Sequence, residues 1–277
     1  MTQSKMINIG CGSIHHPEWI NLDVASDDPE VLSVDITRGL PFKNSSIDVC
    51  YSSHVLEHLD KRAAKVFLTE CFRVLSSGGS IRLVVPDLEV IAREYLKHLE
   101  LAAVGNQSAF SDYDWIMLEM YDQVARATPG GEMANFLVHL PESQRAYVRS
   151  RIGAEADRLW MTDNDHTVNS SRKRSKCFLE IQKRWRLRLA RLLVRLVAGK
   201  SALDSFKRGL FRDTGEVHQW MYDRYSLKRS LEQVGFVNVK VCAAEESRIS
   251  GYQEYALDIK DGAVRKPDSL FIEASKP

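Results

Sequence analysis

Residues 6–59 constrain this chain more than any other stretch, and Ile7-Asn8-Ile9-Gly10-Cys11-Gly12-Ser13 sets their pattern. A short apolar run enters a Gly-x-Gly turn. Parallel α/β sheets offer backbone to nucleotide-like ligands in this way, because Gly10 can take positive φ and Gly12 leaves room for close approach. The third glycine of the dinucleotide fingerprint is absent, and His15 stands in its place. Further strands are expected at residues 19–23, 31–35 and 47–51. The first two end in Asp23 and Asp35; the last runs into Ser52-Ser53-His54-Val55-Leu56-Glu57-His58-Leu59. A glycine turn followed by two strands that each end in a carboxylate suits a ligand with a ribose and an adenine. Residues 13–22 are too few for a full helix and strand, so the first helix is expected to shrink to a turn closed by Pro17.

Past this stretch the alternation continues. Asp60 can cap a helix to Leu75, with Gly78-Gly79 beyond its end. Residues 80–85 read as a fifth strand, and residues 87–104 as a second helix. From 88 to 215 strand signals nearly vanish. After Gly215 a helix capped by Ser226 runs to Val234, followed by strands at 236–242 and 270–274. The expected organisation is a core of residues 1–87 and 216–277 with a helical insertion of residues 88–215. The insertion would sit over the carboxyl edge of the sheet as a lid, an oligomerisation surface or a membrane contact.

The chain resembles a class I S-adenosylmethionine-dependent methyltransferase. The resemblance rests on Ile9-Gly10-Cys11-Gly12, Leu22-Asp23, Asp35-Ile36 through Gly39-Leu40-Pro41-Phe42, and the run from Ser52 to Leu59. It continues through Glu70 to Gly79, Val84 to Asp87, Tyr225 to Phe236 and Lys266 to Ala274. It is nearest to small bacterial methyltransferases associated with surface-polysaccharide assembly. It implies a Rossmann-like seven-stranded sheet, mostly parallel, whose last strand is antiparallel and inserted between the fifth and sixth. It also implies S-adenosylmethionine as cofactor. Gly10, Cys11 and Gly12 would pass its methionine and ribose, Asp23 would accept from the ribose hydroxyls, and Asp35 and Ile36 would flank the adenine. Ser53 and His54 would line the methionine side. Where the family usually carries an acid, this chain has Asn8, whose amide can accept a hydrogen bond but brings no charge.

The acceptor is expected to be a small molecule, with a hydroxyl of a sugar or glycan precursor as first choice. His218 is the candidate base, since a hydroxyl needs one near neutral pH. Trp220 and Tyr222 beside it could stack on a sugar. Another small metabolite as acceptor, or a cofactor-binding scaffold without catalysis, stays open. A nicotinamide-linked oxidoreductase is disfavoured by the missing glycine. No metal is expected: His54 and His58 read as packing, and Asp163, Asp165 and His166 form only a short cluster. Five scattered cysteines (Cys11, Cys50, Cys71, Cys177 and Cys242) lack metal-ligand spacing and read as reduced cytosolic thiols.

Charge is the other asymmetry. The chain is near neutral at +1, yet residues 172–212 hold 14 Lys and Arg against Glu180 and Asp204. Arg184, Arg188, Arg191 and Arg195 make one stripe along residues 184–197, edged by leucines and valines. That pattern suits either a helix at an anionic membrane face or a helix packed internally. Nucleic acid ranks last, for want of a recognised module. No leader and no membrane-spanning run is read from the sequence, so the expected place is cytoplasmic, with peripheral contact at the inner membrane face.

Overall fold

The computed structural model describes residues 4–163 and 178–277, and side chains outside 161–184. Four residues, Met6–Ile9, form β1, and Ile7 and Ile9 are wholly buried. Then come β2 (Ile20–Asp23), β3 (Val31–Ser33), β4 (Ile47–Ser53), helix α1 (Lys61–Val74) and β5 (Leu75–Pro86). Residues 10–19 contain no helix, so the shortened connection is a turn. The Asp60 carboxylate caps α1 by accepting from the Ala63 amide at 2.7 Å. Gly78 and Gly79 do not follow a helix end as a loop; they lie inside β5, with Gly78 at φ 78°.

Among the described residues, six α-helices follow: α2 (Leu88–Ala103), α3 (Ser108–Ala125), α4 (Gly131–His139), α5 (Arg145–Ile152), α6 (Ala154–Asp163) and α7 (Phe178–Arg212). Helices α3 to α6 share a separate core around Trp115, Leu137, Val148 and Trp160. Helix α7 is broken at Gly199, where φ is 81°. The chain then returns through α8 (Arg224–Val234), β6 (Val237–Cys242), a small hairpin of β7 (Ile259–Lys260) and β8 (Ala263–Val264), and β9 (Ser269–Ser275). Helix α8 is capped three residues before the sequence suggests. Asp223 is its cap, and Ser226 supplies the reciprocal bond of a capping box as the third helical residue.

The large sheet has the order β3-β2-β1-β4-β5-β9-β6, parallel except for β9, which runs antiparallel to both neighbours. The expected seven-stranded Rossmann-like sheet is therefore present. Its two faces are covered differently. Along β5, Ile81, Leu83 and Val85 point to a core shared with α1 and α8. Arg82 and Val84 point to the other face, as the two-residue period of a strand requires. There, with no helix after β1, Trp19 and Tyr51 pack against Ile249, Tyr252 and Leu257 from the segment after β6.

Candidate active site

The carboxyl ends of β1, β2 and β4 meet at one edge. Gly10 and Gly12 both hold positive φ, at 71° and 53°. A Cβ on Gly10 would come within 2.2 Å of Val55 Cγ2, whereas one on Gly12 would meet nothing within 4 Å. Gly10 is therefore fixed by packing, and Gly12 faces open space where a ligand can approach. The Gly12 amide donates to Asp23 at 2.9 Å, and the Leu22 carbonyl accepts from the amides of Gly10 and Cys11. Asn8 is an internal brace: its amide donates to the Ile14 carbonyl at 3.0 Å and to Asn21 at 3.3 Å. Burial first, and then Asp23, push the Cys11 thiol up to about 11, so it stays protonated.

The cleft has two connected halves that share Gly10 and His54. One, of about 420 Å³, is lined by Asn8, Cys11, Gly12 and Ser53 on the sheet side and by Glu155, Arg158 and Lys266 on the outer wall. The other, of about 670 Å³, is lined by Asp23, Asp35, Ile36, His58 and Thr214. All nine cofactor residues expected from the sequence thus line this one cleft. Asp35 caps the short turn at Ile36–Arg38, and the Thr37 hydroxyl, donating at 2.6 Å, helps hold its carboxyl below the usual range.

The acceptor-side expectations fare differently. His218 is 6% exposed and lines neither half. Its backbone amide donates to the Gln123 carbonyl, and its ring packs edge-on against His58 at 4.7 Å. Trp220 and Tyr222 line a different hollow, beside α1 and α8, where Lys61 lies 3.7 Å from the centre of the Trp220 ring. These three are held apart from the cleft because the Glu57 carbonyl accepts from the amides of Gln219 and Trp220, and Tyr222 sinks into the main core. Asp165 and His166 lie outside the described residues, as does the side chain of Asp163. His139 caps its own helix face by bonding to the Asn135 carbonyl.

The imidazole at the junction of the two halves is His54. It sits at φ 53°, in the left-handed region, while its amide still donates to Val84 across the sheet. Its Nε2 lies 2.9 Å from Ser269 Oγ and its Nδ1 3.1 Å from Glu57 Oε1. Glu57 is completely buried, and neither oxygen has a well-directed hydrogen bond; the His54 contact is close but off-line. Burial works to raise the Glu57 carboxyl, but the imidazoles of His54, His58 and His218 outweigh it and hold the group below its usual value. Burial also pushes His218 down to about 3 and lowers His58. Glu57 was given no role from the sequence. The available signal was a carboxylate flanked by Val55, Leu56 and Leu59, where a solvated loop would carry polar neighbours. Glu155, Arg158 and Lys266 were missed because they reach the cleft from remote elements.

The family description "methyltransferase domain" matches residues 7–83, which span β1 to β5 and the glycine turn. Residues 7–83 of this chain are thus similar to an S-adenosylmethionine-dependent methyltransferase domain. Compared with curated proteins, the chain has no match. Among solved structures, it is similar to a SAM-dependent methyltransferase of Archaeoglobus fulgidus, at 12% identity over 99% of this chain and 87% of the other, TM-score 0.39. It is also similar to one of Thermotoga maritima, at 13% identity over 100% and 84%, TM-score 0.40. A chain of the Haloferax volcanii methyltransferase–activator complex aligns at 19% identity, TM-score 0.27, over 35% of this chain and about half (51%) of its own length. The cleft fits the cofactor of such a domain: Gly12 is open and the Asp23 carboxylate stands at the end of β2.

Proposed function

We propose that the methyltransferase acts on a hydroxyl of a sugar or glycan precursor. The observation that carries this reading is the half of the cleft on the far side of His54. Its inner wall is the glycine turn, which would face the methionine end of the cofactor, and its outer wall, left to the acceptor, is polar, built from Glu155, Arg158 and Lys266. A hydroxylated acceptor would find hydrogen-bond partners there while its reacting oxygen lies beside His54. Asp23 would hold the ribose, and Asp35 and Ile36 the adenine end. The bound cofactor supplies an electrophilic methyl on a sulfonium. The chain aligns the acceptor with that methyl, and alignment is most of what such a displacement needs. His54 takes the hydroxyl proton on Nε2, with Glu57 orienting the ring through Nδ1. In this reading His218 supports the Glu57 carboxylate from behind and does not meet the acceptor.

The helix α7 adds a location. Leu189, Leu192, Leu193, Leu196 and Val197 are 50–86% exposed, and Arg188, Arg191 and Arg195 are exposed among them. Such a surface fits an anionic bilayer, from which a lipid-borne glycan acceptor could be drawn. No helix among the described residues is long and apolar enough to cross a membrane.

Calorimetry with S-adenosylhomocysteine tests the cofactor half. The wild type binds, and Asp23→Ala weakens binding by more than about tenfold. Turnover on hydroxylated acceptors falls in His54→Gln with cofactor affinity retained. Turnover only on a non-sugar metabolite would replace the acceptor class, and tight binding without any turnover would leave a scaffold. Replacing Arg188, Arg191 and Arg195 by Glu abolishes binding to anionic vesicles; a wild type that ignores such vesicles at low salt ends the membrane reading.

A further inference from the structure

Behind His54, four buried polar atoms face one another without hydrogen bonds: Glu57 Oε1 and Oε2, His58 Nδ1 and His218 Nδ1. A buried polar atom is almost always satisfied; His54 gives Glu57 Oε1 only an off-line contact at 3.1 Å, and the other three have no protein partner. One ligand atom from each of the three residues lies within 4.8 Å of the others. We infer that Glu57, His58 and His218 form a divalent-metal site, with zinc as its best occupant.

Two imidazole nitrogens and one carboxylate oxygen make a donor set that suits zinc, and three protein ligands leave one position for water. At zinc–ligand distances of about 2.0–2.2 Å, the donors need to close in by less than about an ångström from their present span. His58 is already arranged for the task. The Val217 carbonyl lies beside its ring, and its Nδ1 has no hydrogen bond. A backbone carbonyl next to the other ring nitrogen is a usual outer-shell arrangement for a ligating histidine. His54, 3.1 Å from Glu57 Oε1, backs the carboxylate from the cleft side. The nearby positive charge of Arg126 is offset by Asp122 at 3.2 Å and Glu216 at 3.5 Å.

The chain topology gives such an ion a purpose. Glu57 and His58 lie just after β4, whereas His218 lies in the segment that rejoins the core after the helical insertion. An ion would fasten the two together beside the cleft, which His58 lines. This inference does not depend on the acceptor.

The test uses the full chain, stripped with a chelator and titrated with zinc against a chromophoric competitor. The expected result is one equivalent bound with a Kd below about 1 μM. Affinity falls by more than about a hundredfold in His218→Ala and in Glu57→Gln, each checked for folding by circular dichroism. If His218→Ala does not fold, His58→Ala, at a less buried position, carries the test. Cobalt in place of zinc gives visible d–d bands that vanish in the same variants. A chain with His139 and His166 both changed to Ala retains the ion. Absence of binding in the wild type, binding unaffected by all three ligand changes, or loss on changing His139 and His166 would each overturn the inference.

Discussion

Two clusters of buried charge lie in the same core and are built to opposite plans. In the first, Arg82 on β5 donates to Asp258 and Glu273, both at 2.8 Å, and to the carbonyls of Ala244 and Glu246. Tyr51 and Tyr252 donate to the Asp258 carboxylate at 2.6 and 2.7 Å, and Ser247 and the Arg248 amide donate to Glu273. In the second, Glu57 is as deeply buried as Arg82, but its oxygens and the Nδ1 atoms of His58 and His218 have no well-directed hydrogen bond. A closed network holds structure together, since every buried charge has its partner. An open one leaves lone pairs that a ligand could take. The first pins the segment after β6 to the sheet face that lacks a helix; the second lies beside the cleft.

The largest test of this contrast is Arg82→Met. It leaves Asp258 and Glu273 buried without their cation and should cost about 3–5 kcal/mol, read from denaturant unfolding. A loss below about 1 kcal/mol would mean that the network contributes little beyond packing.

The next is alkaline stability. Burial first, and then the Asp258 charge in one case and Tyr51 in the other, hold the Tyr51 and Tyr252 hydroxyls well above their ordinary value. A raised folded value means stability that is complete below the unfolded value near 10 and is lost as pH rises beyond it. Unfolding free energy should therefore fall above about pH 10, by up to about 1.4 kcal/mol per pH unit for each tyrosine. Tyr252→Phe should make that fall shallower. An unchanged slope in the variant would place the sensitive group elsewhere.

The smallest expected effect is that of Glu57→Gln in the presence of chelator. A carboxylate without a well-directed partner contributes little, so stability should change by less than about 1 kcal/mol. A loss as large as that of Arg82→Met would erase the contrast and make the second cluster structural as well.

Much of this molecule was legible along the chain. The glycine turn, the strand ending in Asp23, and the caps at Asp35 and Asp60 are local signals, set by φ preference and by side chains that bond their own backbone; the strand expected to reach Asp35 stops at Ser33. Most of the nine residues expected to hold the cofactor belong to them, and all nine line one cleft. Misreadings occurred where local chemistry allowed two answers. Asp223 and Ser226 both suit a helix start, and only the returning chain selected Asp223. Gly78 and Gly79 suit a helix end as well as the opening of a strand, and pairing with β4 and β9 drew them into β5.

What the sequence determined by itself is the half of the protein whose contacts are short in sequence: the turns, the strand ends and the cofactor edge they form. The tertiary structure alone decided where His218, Trp220 and Tyr222 would face. It likewise decided that Arg82 would meet Asp258, 176 residues away, and that Glu155 and Lys266 would wall one chamber. These outcomes depend on burial and charge pairing between distant segments. Periodicity reports which face of an element is apolar, but not which charge waits on the other side.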